Sequence, residues 1–160
     1  MLKSALWPNR TSLVLVLCLL PFGPALADDP VAVAKHRQAV MDRMGDDAKA
    51  IKLYLSGDGD HASAVTAAQD IEAAAAIVPT LFPKGTDSDA LPGVSAAKPD
   101  IWDNPDDFRQ IESALADQSK ALTKALGSGD PAVAATAFRS LGQNACGACH
   151  QDYRGRKDGG

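Results

Sequence analysis

The sequence predicts an all-α protein, an antiparallel up-down four-helix bundle. Three observations carry that expectation. Apolar residues recur at steps of three, four and seven in four separate segments, the spacing of one buried helix face. No segment shows the strict alternation of a half-buried strand. The first and third breaks between segments are short and the second is long, so neighbouring helices are expected to run antiparallel.

Before the first helix, residues 1–27 read as a secretory signal peptide that is removed. Lys3 and Arg10 give a positive start, Leu13 to Leu20 an apolar run, and Ala25-Leu26-Ala27 a small-residue cleavage site. The run falls short of the about 20 residues a membrane span needs, and Pro21 and Pro24 follow it directly. No membrane anchor is expected, and export places the chain in the periplasm. Residues 28–160 then form a single domain of 160 − 27 = 133 residues, enough for one core. Losing Lys3 and Arg10 takes the formal charge from −4 to −6, which argues against nucleic acid as a partner and permits steering towards a basic one.

The first helix begins near Pro30, with Asp28 or Asp29 as cap. Its stripe is Val33, Val40, Met44, Ala48, Ile51 and Leu55, with Met41 beside it, and Ser56-Gly57-Asp58-Gly59 ends it. Arg37 falls on the same face, where a charge calls for a counter-charge such as a carboxylate or an anionic cofactor. The second helix is expected from Asp60 to Val78, with Ala64, Ala68, Ile71, Ala75 and Val78 inward and Pro79 as its stop. Five prolines from Pro79 to Pro105 then mark a long crossover, a type of loop that is uncommon and usually functional or disordered. Leu81, Phe82, Leu91, Ile101 and Trp102 predict that it packs. Asn104 is the expected cap of the third helix, whose stripe is Phe108, Ile111, Leu115, Leu122 and Leu126. Asp130 and Pro131 open the fourth, which carries Ala134, Phe138, Leu141, Ala145 and Ala148 inward. From Gly155 the tail is expected to fray.

That last helix ends in Cys146-Gly147-Ala148-Cys149-His150, the C-x-x-C-H spacing of c-type haem attachment. Each thiol adds across a haem vinyl group to form a thioether, and the adjacent imidazole supplies an axial ligand to the iron. Two cysteines at i and i+3 of a helix share one side, with the histidine one step on. A zinc site wants four ligands, and the other histidines beyond the leader, His36 and His61, stand alone. A thioredoxin-like dithiol expects a βαβ setting that is missing here. Aromatic residues make up only 5% of the chain, and one covalently bound haem c would supply the bulk they do not.

The group opposite His150 decides between electron transfer and small-ligand binding. After the leader only Met41 and Met44 supply thioethers, both on the first helix, and periodicity alone leaves either as ligand or as packing. No distal histidine is placed for peroxide chemistry and no nucleophilic dyad or nucleotide loop is present, so no enzymatic activity is expected.

These residues together resemble the class II cytochromes c, cytochrome c-prime and its low-spin relatives, along nearly all of the chain beyond the leader. The resemblance rests on the haem motif with its continuation Gln151-Asp152-Tyr153-Arg154, on Leu81-Phe82-Pro83-Lys84-Gly85-Thr86, on Lys98-Pro99-Asp100-Ile101-Trp102, and on Lys35 to Gly45. It implies a bundle with one haem c near its C-terminal end, Cys146 and Cys149 as thioether positions and His150 as proximal ligand. Four residues beyond the matching arginine, high-spin members carry a bulky apolar residue and low-spin members a ligating methionine; here that position is Met41. By the same resemblance Arg37 lies close to the haem propionates, Arg154 is the basic residue one turn past the axial histidine, and Trp102 and Tyr153 pack near the porphyrin. The expected function is a soluble periplasmic electron carrier with His/Met-ligated low-spin iron, serving redox partner proteins. The alternative is a five-coordinate protein binding nitric oxide or carbon monoxide. Members are often dimers through their first two helices, so a homodimer is compatible with the reading.

Overall fold

The computed structural model describes residues 29–155, so the expected leader and the last five residues lie outside it. Helix α1 spans Pro30–Leu55, with the Asp29 carboxylate accepting from the Val31 amide at 3.1 Å. Gly57, at φ 86°, turns the chain out of it. Helix α2 spans His61–Ile77, one residue shorter at each end than the pattern suggests. Asp60 serves as its cap, accepting from the Ser63 amide at 2.8 Å. Val78 already belongs to a 3₁₀ turn, Val78–Leu81, because Pro79 brings no N–H to continue the α ladder.

The crossover packs, as its apolar residues foretell. Leu81, Thr86, Ser95, Ala97 and Ile101 are buried, and the loop ends in a single helical turn, α3, Asp100–Asp103. Helix α4 spans Pro105–Gly127. Asn104 precedes it without capping it by side chain; its carbonyl instead accepts from the Phe108 amide at 3.2 Å. Helix α5, Pro131–Leu141, is capped by Asp130, which accepts from Ala132 and Val133. The fourth helix then changes type without breaking: Gly142–Gly147 is a π turn and α6 covers Ala148–Tyr153.

The long helices α1, α2 and α4, with the continuous α5–α6, make an antiparallel four-helix bundle. Its main core joins Met44 and Ile51 of α1, Leu122 and Leu126 of α4 and Leu141 of α5 across the alanines Ala64, Ala67 and Ala68 of α2. A smaller cluster of Ala97, Ile101, Phe108 and Tyr153 closes the end where the crossover meets α6. Among the described residues the only β pairing is an isolated bridge between Ala97 and Arg154. The Gly155 amide donates to Ala96 O at 2.7 Å, so at Gly155 the chain is tied to the crossover and does not fray there. No helix among the described residues is long and apolar enough to cross a membrane.

Candidate haem site

Leu141 and Ala145 are buried and anchor the inner side of the last helix, which leaves Cys146 and Cys149 half-buried one turn on. The π turn widens the backbone at Cys146, a local distortion often found at functional sites. Gly147 allows that turn to close, since a Cβ there would stand 2.9 Å from Gly142 O. Cys146 packs on the main core, as do Met41, Leu115 and Phe138. Cys149 packs on the smaller cluster, as do Ile111 and Trp102, and Phe82 packs on both. The two thiols therefore straddle the seam between the clusters.

Neither cysteine is in a disulfide. Burial pushes the Cys146 thiol up and the Cys149 thiol to about 11, with Cys146, Glu112 and Asp152 adding to the latter. Burial keeps both as neutral thiols in apolar surroundings. Among the described residues no three His, Cys, Asp or Glu side chains cluster to hold a metal ion. His150 stands exposed at its outer edge; desolvation by the atoms around its ring lowers its pKa and the Arg154 charge lowers it further, which favours the neutral imidazole that ligates iron. The donor set fits haem c.

The remaining expected residues are distributed as follows. Met41 lies half-buried on α1, and Met44 is buried beside it in the core. Trp102 donates from Nε1 to Phe82 O at 3.1 Å and packs with Cys149. Tyr153 is buried against Phe108, and Arg154 stands exposed. Among the described residues Arg37 contacts no carboxylate. It is buried, and its guanidinium is held by neutral oxygens: Leu81 O, Thr86 Oγ1, Thr86 O and Ser95 Oγ at 2.8–2.9 Å. Asp87 attracts it only from further off. The stripe of α1 also contains a buried carboxylate, Asp47, that periodicity passes over because it is charged.

A helical bundle with paired neutral thiols and a histidine on its last helix defines a monohaem c-type cytochrome. A family profile described as Cytochrome C' matches residues 32–154, and the chain belongs to that family. It is a cytochrome rather than an enzyme, and it binds one covalent haem c. It is 34% identical over 125 residues to cytochrome c-556 of Agrobacterium fabrum, covering 77% of this chain and 81% of that one. A solved cytochrome c' with ligand-controlled dimer dissociation superposes with a TM-score of 0.75 at 27% identity, covering 81% and 99%. A carbon monoxide-bound variant of cytochrome c' from Alcaligenes xylosoxidans superposes at 0.71 and 25% identity, covering 81% and 98%. A nitric oxide complex of another variant of that protein matches with the same score and identity.

Proposed function

We propose that this cytochrome is a soluble periplasmic electron carrier, cleaved after Ala27, with residues 28–160 as its one domain. Cys146 and Cys149 form the thioethers, His150 is the proximal ligand and Met41 the distal one. The observation that carries this reading is a thioether at position 41, half-buried on α1 and packed on the cluster that also receives Cys146. Haem c supplies an iron that alternates between the ferrous and ferric states. With haem c bound, the chain would present a neutral imidazole and a soft sulfur to the iron and exclude water with Leu115 and Phe138. Little then needs to rearrange when one electron arrives. The relative whose dimer dissociates under ligand control supports a homodimer as the resting assembly.

A second reading has the weight of the comparisons behind it. The matching solved structures are cytochromes c', with carbon monoxide and nitric oxide complexes among them. Here Met41 would screen an open distal face that admits a diatomic gas. The visible spectrum of the ferric holoprotein separates the two. A low-spin spectrum that becomes high-spin in Met41→Ala supports the electron carrier. A high-spin spectrum indifferent to Met41→Ala, with rapid carbon monoxide binding in the ferrous state, establishes the gas-binding protein.

A further inference from the structure

Two helices carry the residues expected on opposite sides of the haem: α1 approaches the α5 part of the last helix, but no Cα of α1 lies within 8 Å of one in α6. At the level of α6 the separation between Met41 and His150 is bridged by side chains. One continuous line of side chains spans it. Arg37, one turn before Met41, lies with its guanidinium carbon 4.8 Å from the centre of the Phe82 ring. Phe82 meets Phe108 edge-to-face at 4.9 Å and 71°. Phe108 meets Tyr153 edge-to-face at 5.1 Å and 82°. Tyr153 sits three residues beyond His150 on the same helix.

We propose that Arg37, Phe82, Phe108 and Tyr153 form a strut between α1 and α6 that fixes how far the Met41 turn stands from the His150 turn. They are positioning residues, and the inference rests on the reading that Met41 and His150 face the iron from opposite sides.

Three features make the line stiff. Edge-to-face aromatic pairs and a cation over a ring have preferred geometries, so they resist both approach and withdrawal. Arg37, Phe108 and Tyr153 are all buried, which leaves little room for another rotamer. The backbone is pinned at each node. Arg37 and Trp102 donate to the carbonyls of Leu81 and Phe82 at 2.9 and 3.1 Å, and the Lys98 amide donates to Tyr153 O at 3.0 Å. Such a strut acts on whichever chemistry the distal side performs. In the electron carrier it holds the sulfur within bonding reach; in the gas-binding protein it sets the gap that a diatomic ligand must enter.

The test uses the ferrous holoprotein, in the Met41→Leu background where the parent does not take up carbon monoxide, and the rate at which carbon monoxide binds. Phe82→Leu removes both ring contacts of the second node, whereas Phe82→Tyr keeps them. Ile71→Val, in the main core away from the line, controls for a general loss of stability. Phe82→Leu is expected to change the rate by about fivefold or more, the scale of a coupling energy lost along a packed path. Phe82→Tyr and Ile71→Val are expected to stay within about twofold. A Phe82→Leu protein that is less stable yet binds at the parent rate overturns the strut. So does an Ile71→Val protein that shifts the rate equally. Should Phe82→Leu not fold, Tyr153→Leu against Tyr153→Phe asks the same question at the other end. Failure of the axial assignment reads out separately, as a ferric spectrum indifferent to Met41→Ala.

Discussion

Arg37 donates to both oxygens of Thr86, the hydroxyl at 2.9 Å and the carbonyl at 2.8 Å, across 49 residues of sequence. Burial lowers the pKa of this arginine, and Asp87 offsets that only in part, so the cost of desolvating the charge is met chiefly by neutral acceptors. Arg37→Met keeps the stem and takes the side-chain donor from Leu81 O and the Thr86 hydroxyl, whereas Thr86 O still accepts from Ser95 Oγ and Ser95 Oγ from the Ala97 amide. Since an unpaired buried polar group costs about 1–3 kcal/mol, the substitution should destabilise the holoprotein by about 3 kcal/mol or more. Thr86→Val removes the Arg37 bond to the hydroxyl, though not the one to the carbonyl, together with the Thr86 bond to Pro83 O at 2.8 Å, and should cost about 1–2 kcal/mol. Denaturant midpoints measure both, and equal costs would mean that Thr86 is the whole of the clamp.

That clamp marks where sequence reasoning stops. The four helices, Asp29 and Asp130 as caps, and the motif at Cys146, Cys149 and His150 are written in local patterns, and local patterns survive without a fold. Arg37 and Asp47 are different. Their burial depends on what the crossover and α2 bring to them from elsewhere in the chain, and hydrophobic periodicity passes over a charge. Ser119, fully buried on α4 between Leu115 and Leu122, escapes notice for the same reason. The bridge from Ala97 to Arg154 is a pairing of two backbones, so no side-chain pattern announces it. The π turn at Gly142–Gly147 is a change in the backbone hydrogen-bond ladder of one unbroken helix, and a side-chain stripe cannot report it.

Two glycines should respond oppositely to a methyl group. Gly45 lies within α1, and a Cβ added there would meet nothing within 4 Å. Gly45→Ala therefore removes only unfolded-chain freedom and should stabilise by about 0.5–1 kcal/mol. At Gly59 the same methyl would lie 2.5 Å from the Tyr54 nitrogen and 2.8 Å from the Leu53 carbonyl carbon. Backbone cannot swing aside as a side chain does, so Gly59→Ala should destabilise by about 2 kcal/mol or more. Thermal unfolding of the two variants against the parent checks the sign as well as the size.

Asp47 predicts a pH dependence. One of its oxygens, Oδ1, lies 3.4 Å from Arg43 Nε; the other, Oδ2, is buried without a partner. Burial raises its pKa above the ordinary 3.8, Arg43 opposes this, and Asp70 and Asp46 add to it. The folded state therefore binds the proton more tightly than the unfolded one, and the ionised carboxylate carries a penalty in the fold. That penalty is present in full above the raised folded value. It is relieved as the pH falls through that value towards 3.8. Relative to Asp47→Asn, the parent should gain stability over that window. Asp46, Asp60 and Asp87, held below the ordinary carboxyl range by their hydrogen bonds, act in the opposite sense at lower pH and cancel in the comparison. Denaturation of both proteins across mildly acidic pH measures the difference, and parallel curves would mean that Asp47 does not titrate differently on folding.

Met41 and Met44 stand three residues apart on α1 and should divide packing from ligation between them. Met44 is 9% exposed and belongs to the main core. Met41 packs on that core from its margin, with part of its side chain free to face another group. Leucine matches methionine in volume but has no sulfur, so it separates the two roles. Met44→Leu should cost less than about 1.5 kcal/mol and leave the ferric spectrum of the holoprotein unchanged. Met41→Leu should cost no more in packing, yet it deletes the one soft donor on that margin. In a His/Met-ligated protein it should convert the ferric iron from low to high spin and open the ferrous form to carbon monoxide. If the spectrum responds to Met44→Leu instead, the two sulfurs have exchanged roles and α1 presents a different face to the haem. If it responds to neither, Met41 is a screen and the gas-binding reading stands.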